Sequence, residues 1–203
     1  MHKRGGQHIE VLAMKGILIA EFIDLMEAEF GADMVDTVLE EVKPASGGVY
    51  TSMGTYDHAE LVAILMALSR HSKVPLANLN KTFGMYYFPE FIASHPDLFD
   101  SHNSSLALLE NIEWLIQWEA KRLYPSAIPP KVVCNRTSPT SLELFHEGPK
   151  CLGDVAEGLI HGCAFHYGEK IMVRRESLNE SSGPGEWFLL TLDRTSVTLK
   201  ARH

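Results

Sequence analysis

The segment "KVVCNRTSPTSLELFHEG", residues 131–148, decides the fold. Two short runs rich in β-branched and apolar residues flank the turn residues Ser138 and Pro139, the pattern of two strands joined as a hairpin. Downstream comes a helical stretch, "LGDVAEGLIHGCAFHYGE" (152–169). It leads into two further strand-like runs, "KIMVRRESL" (170–178) and "EWFLLTL" (186–192), divided by the loop-forming "NESSGPG" (179–185). Two hairpins separated by a helix give β-β-α-β-β with a four-stranded antiparallel sheet. The preceding residues read as helix, so the chain is α+β: an N-terminal helical lobe followed by a β-β-α-β-β lobe.

Upstream, Ile17, Leu18, Ala20, Phe22, Ile23, Met26 and Phe30 recur at three- and four-residue spacing, predicting an amphipathic helix from Met14 to Phe30 that Gly31 ends. Asp33 is placed to cap a second helix through about Val42, and "PASGG" (44–48) then breaks the chain before an extended piece, "VYTSM" (49–53). Asp57 caps a third helix, which stops ahead of Pro75. A fourth carries the aromatics Phe83, Tyr86, Tyr87, Phe88 and Phe91, and Pro89 is expected to kink or divide it. A fifth runs from about Ser105 to Leu123, with Ile112, Leu115, Ile116 and Leu123 available for burial.

The 203 residues, 45% of them hydrophobic, suffice for a sizeable core. A formal net charge of -8 opposes a phosphate-binding surface, so nucleic acid is not an expected partner. Three cysteines, Cys134, Cys151 and Cys163, are odd in number and lack zinc-motif spacing, which suits a reducing cytoplasm. No apolar run approaches the roughly 20 residues that span a bilayer. The N-terminus lacks the continuous apolar stretch of a signal peptide.

Motifs for chemistry are sparse. The aromatic run 83–91 could line an apolar pocket, although ordinary core packing is the simpler reading. Among the ten histidines, His161 and His166 diverge on a helix, and Cys163 with His166 lacks a second ligand pair. There is neither a nucleophile elbow nor a phosphate loop, so no enzyme is expected.

Several collinear segments resemble the heme nitric oxide/oxygen binding (H-NOX, HNOB) family of gas sensors: "MKGILIAEF" from 14, "GVYTSMGTYDHAELVAIL" from 48, "TFGMYYF" from 82, "LYPSAIPP" from 123 and "AEGLIHGCAFHYGEKI" from 156. The resemblance implies one domain over 14–195, with a helical lobe to about 125 and an α/β lobe over 126–195. Residues 1–13 would be an extension before a natural start at Met14, and 196–203 a tail.

In the family a proximal His on the helix before the "LYP" element ligates heme iron. Counting back from Tyr124 gives Gln117, and anchoring on "LLENIE" gives Ile116; neither is His. The family's Tyr-x-Ser-x-Arg clamp on the heme propionates aligns with His146, Gly148 and Lys150, which keeps a positive charge without Arg's bidentate fork. Leu18 and Phe22 correspond to distal-pocket residues, Pro130 to the proline pressing on the heme, and Val155 to the distal Tyr of oxygen-binding members.

Heme is thus the cofactor the resemblance implies, while Gln117 or Ile116 removes its usual ligand. The reading is a stand-alone cytoplasmic sensory module without ordinary His-ligated heme. It would bind another apolar small molecule, or a separately encoded partner such as a histidine kinase or a diguanylate cyclase. The alternatives are a heme-based nitric oxide sensor with a non-standard axial ligand such as His146, and reuse of the scaffold for a structural or thiol redox role through Cys151 and Cys163.

Overall fold

The computed structural model describes residues 13–94, 96–97, 101–123, 131–147, 150–178 and 185–193. Pro130, Gly148, residues 1–12 and 196–203, and the side chains of Ile116, Lys150 and Cys151 lie outside the described residues.

The chain begins with a short strand, β1 (Ala13–Lys15), leading directly into α1 (Gly16–Phe30). Then come α2 (Ala32–Val42), β2 (Thr55–Asp57), α3 (His58–Ser72) and α4 (Leu76–Ala93). Two shorter helices, α5 (Ser105–Glu110) and α6 (Glu113–Leu123), precede the β-containing part. That part is β3 (Val132–Ser138), β4 (Ser141–Glu147), α7 (Lys150–His166), β5 (Ile171–Ser177) and β6 (Gly185–Leu192). The four strands form an antiparallel sheet in the order β3-β4-β6-β5, so the two expected hairpins join through β4 and β6.

Five local expectations change. The extended piece is Thr55–Asp57, not 49–53: residues 51–54 form a turn closed by Gly54 N–H to the Thr51 carbonyl (2.9 Å), and the Tyr56 hydroxyl accepts from Thr51 N–H (2.9 Å). This turn lets β2 pair antiparallel with β1, placing Met14 opposite Tyr56, so Met14 belongs to a strand and not to α1. The N-cap of α2 is Gly31, at φ +84°, and Asp33 lies in the first turn. Pro89 leaves α4 undivided. Its missing N–H would have bonded the carbonyl of Met85, a residue 45% exposed, where water can replace the lost donor.

Lastly, the fifth expected helix is two. At its middle Asn111 and Ile112 donate to Leu108 and Leu109 in tightened three-residue turns (2.9 and 3.4 Å), while the Asn111 amide reaches back to the Ala107 carbonyl (3.0 Å). An asparagine that satisfies the backbone locally removes the incentive to continue the helix.

The core runs through both parts of the chain. Met14, Ile19, Phe22 and Met26 are buried with Ile64 and Leu68 from α3, Leu106 and Leu108 from α5, Leu115 from α6, and Leu142, Phe188 and Leu190 from the sheet. Fully burying one such side chain contributes about 1.5–3 kcal/mol.

Helices α4 and α7 meet backbone to backbone. A Cβ on Gly84 would lie 2.2 Å from the Val155 carbonyl oxygen, and one on Gly158 would lie 2.1 Å from the Lys81 carbonyl oxygen. Neither obstacle can rotate away, so the helices would have to separate. Gly158→Ala and Gly84→Ala are each expected to cost at least the 1–3 kcal/mol typical of overpacking, despite alanine's better helix propensity. Urea unfolding checks this, and a wild-type midpoint in both variants would disprove the close crossing.

Candidate functional site

Among the described side chains of α6 the buried ones are Leu115 and Leu123, and Ile112 just before the helix is buried with them. Gln117 follows Leu115 by two residues, about 200° around the helix, so it falls on the other side. It is exposed and lines an open groove of about 310 Å³ with Glu110, Asn111 and Glu113. Glu110 also accepts from the Arg136 guanidinium (3.5 Å). The next residue, Trp118, is half exposed beneath Arg122, whose guanidinium carbon lies 5.9 Å from the ring centre. The side chains named in its lining are polar, two of them carboxylates, and α6 contains no imidazole.

The residues aligned with the family's distal pocket are packed into the core. Leu18 is buried, and Phe22 makes an edge-to-face contact with Phe83 (centroids 5.4 Å apart), which continues to Tyr87 (5.8 Å). The aromatic run of α4 is therefore core, apart from the partly exposed Tyr86. Val155 is half-buried on α7, at the crossing with Gly84. The structure does not bring Gln117 into this aromatic cluster.

His146 lies elsewhere again. Strand alternation puts Leu142, Leu144 and His146 on the inner face of β4, and His146 pairs with Val132 on one side and Glu186 on the other. It is 5% exposed, and its Nδ1 is buried without a hydrogen-bond partner. Burial pushes its pKa below the usual histidine range; nearby Glu186 opposes that shift and Arg175 adds to it. The ring is therefore neutral at pH 7.

Beside it is a group of charges that the sequence reading did not single out. Arg175 on β5 donates to Asp154 (2.5 Å) and Glu157 (3.0 Å) of α7 and to Glu186 of β6. Lys81 of α4 pairs with Glu157 at 2.8 Å, and Ser177 donates to Glu186 at 3.1 Å. The guanidinium also stacks 5.2 Å from the Phe188 ring centre. Burial alone would raise the Glu157 pKa, but the hydrogen bonds from Lys81 and Arg175 outweigh it and hold the carboxyl below its usual value. A signal was present in the sequence: in "IMVRRES" Arg175 keeps the inward phase of Ile171 and Val173, where an apolar residue belongs.

The described cysteines are poor nucleophiles. Cys163 is fully buried, its thiol faces the Ser105 carbonyl at 4.0 Å, and burial with Glu169 nearby raises its pKa. Burial, with Glu113 and Glu110 adding, pushes the Cys134 thiol up to about 12. Reactive thiols are shifted the other way. Among the described residues no group of three or more His, Cys, Asp or Glu side chains could hold a metal ion, and no helix is long and apolar enough to cross a membrane.

Comparison with known proteins places this geometry. Residues 15–175 match the family described as Haem-NO-binding, HNOB. Among solved structures the chain is similar to the IWP-051-bound H-NOX from Shewanella woodyi in the Fe(II)CO ligation state, at 33% identity and TM-score 0.73, covering 93% of this chain and 99% of that one. It is similar also to the Fe(II) unliganded H-NOX protein from K. algicida, at 29% identity and TM-score 0.78, covering 89% and 97%. An H-NOX protein from S. oneidensis in the Fe(II)NO ligation state matches at 25% identity and TM-score 0.76, covering 89% and 100%. No curated protein matches.

The charge group makes two measurable demands. Arg175→Met leaves three buried carboxylates without their shared cation and is expected to cost about 3–5 kcal/mol in chemical denaturation. His146 and Glu157 both have folded pKa values below their unfolded ones. The unfolded chain therefore binds more protons, and stability rises with pH across each window. Stability should be fully present at neutral pH and begin to fall below about pH 6.5, the unfolded histidine value, with Glu157 contributing further loss in the acid range. His146→Gln should flatten the first part of that decline; an unchanged pH profile would contradict a neutral buried ring.

Proposed function

The chain belongs to the Haem-NO-binding family, and on that premise we propose that it is a sensory module of that family in which the imidazole-to-iron bond has been given up. The observation that carries this reading is the setting of Gln117. The helix that supplies the proximal ligand in the family offers here an amide, at an exposed position in a groove shared with Glu110 and Glu113. An amide oxygen is a weak donor to heme iron beside imidazole, and two carboxylates oppose the heme's own propionates. These residues do not fit a heme held in the family's way.

Of the two outputs open to such a module, protein contact is favoured over a small apolar ligand. Leu18 and Phe22 are already enclosed by core neighbours, Phe22 at 1% exposure, so a ligand at their position would have to displace them. By family resemblance, the partner class is a separately encoded signalling protein such as a histidine kinase or a diguanylate cyclase.

A specific observation favours a second reading, a heme-based nitric oxide sensor ligated by His146. Its Nδ1 is neutral, buried and unpartnered, as a ligand nitrogen must be before it binds a metal. The adjoining Arg175 is already committed to three carboxylates, which leaves it little capacity for propionates.

An absorption spectrum of protein expressed with added heme separates the two. On the first reading, wild-type protein shows no one-to-one Soret absorption, His146→Ala leaves that unchanged, and Gln117→His gains the band. Stoichiometric heme in the wild type that disappears in His146→Ala would establish the second reading and overturn the first. On the alternative register Ile116→His gains the band in place of Gln117→His.

A further inference from the structure

The sheet has an inner face, carrying His146 and Arg175, and an outer face that no helix covers among the described residues. On the outer face the rings of Phe145 and Trp187 stack across β4 and β6 with centroids 5.1 Å apart. Trp187 is 40% exposed, Leu189 38% and Met172 62%. Large apolar side chains gathered on one open sheet face mark an interaction surface. One cross-strand row on this face is charged at both sides of its apolar centre: Glu143 on β4, Leu189 on β6 and Arg174 on β5. Among the described residues neither Glu143 nor Arg174 has an ion-pair partner within the chain.

We propose that this face pairs with the same face of a second copy of the chain. The Glu143–Arg174 row favours a second copy and one geometry, although the same geometry sets the exposed Glu176 opposite Phe145. A two-fold axis between the faces and parallel to β6 keeps each row opposite itself while exchanging β4 for β5. Glu143 of each copy then meets Arg174 of the other, twice, while Leu189 meets Leu189 and Trp187 meets Trp187. A two-fold axis perpendicular to the strands would set Glu143 against Glu143 and Arg174 against Arg174, and is disfavoured by like charge. The favoured arrangement is an isologous contact, with strand directions aligned as in ordinary face-to-face sheet packing.

The area sets the strength. In this arrangement three strands of seven or eight residues, β4, β6 and β5, face their counterparts over a footprint of about 14 by 23 Å, or roughly 330 Å² per copy. That is below the roughly 800 Å² per partner of a standard interface, so the dimer is concentration-dependent and not obligate.

Sedimentation velocity over a concentration series tests the proposal on the full chain. Wild-type protein should move from monomer toward dimer between low micromolar and millimolar concentration. Glu143→Arg alone and Arg174→Glu alone should each weaken dimerisation about tenfold or more, and the chain carrying both changes should regain wild-type association, since each copy again presents opposite charges. Trp187→Lys, verified as folded by circular dichroism, should stay monomeric. Wild-type protein that is still monomeric at millimolar concentration overturns the proposal, whether the face is then covered by another protein or by a segment of its own chain. A doubly changed chain that associates no better than the single variants overturns it as well.

Discussion

The contact between Gly84 and Gly158 sets the spacing on which the rest of the structure depends. With carbonyl oxygens where side chains would otherwise stand, α4 and α7 lie closer than any substituted pair of helices could. That proximity lets Lys81 of α4 reach Glu157 of α7 at 2.8 Å. The same carboxylate faces Arg175 of the sheet at 3.0 Å. One residue of α7 thus touches both the helical part and the strands. A wider crossing would move Glu157 from one of its two cations, and the unpaired charge would then be buried at the junction.

The charge group around Arg175 is better understood as a positioning device than as a source of stability. Taking three carboxylates and a guanidinium out of water is costly, and a well-packed apolar cluster of similar volume is often as stable. What the ions add is direction: Arg175 has a planar fork, and its partners on α7 and β6 must come to it at fixed angles. The Arg70–Glu41 pair is the contrast. With side chains 56% and 40% exposed it lies in water, which screens it, and it constrains little.

The helical lobe and the four strands were legible in the sequence because they rest on periodicity. Leu142, Leu144 and His146 alternate, and Ile19, Phe22 and Met26 recur at helical spacing; burial follows those periods directly. The failures are positions where a single side chain overrides the pattern. Asn111 ends a helix by bonding its own backbone, and Tyr56 folds the 51–54 turn by accepting from Thr51; neither act has a period. The absence of histidine from α6 could be counted in the sequence, but the acidic, open surroundings of Gln117 required the third dimension. The Arg175 group was half visible, as a charge in an inward phase, while its partners Asp154 and Glu157 belonged to a different element.

On the proposed reading, two features at the Gln117 groove act against heme, and their sizes rank them. In a groove open to water, each of Glu110 and Glu113 interacts with another carboxylate about 4 Å away by about 1 kcal/mol, less than a tenfold effect on binding and screened further by salt. A penalty of that size is readily offset by burying the apolar faces of a porphyrin. Replacing imidazole by an amide is different in kind, because it removes the donor that fixes the iron's position and electronic state, and no nearby charge substitutes for a coordinate bond. The glutamates therefore colour the groove, while residue 117 decides its chemistry. His146, the one buried imidazole with an open nitrogen among the described residues, is held on β4 between Val132 and Glu186, so a metal brought to it would have to enter the inner face of the sheet beside Arg175.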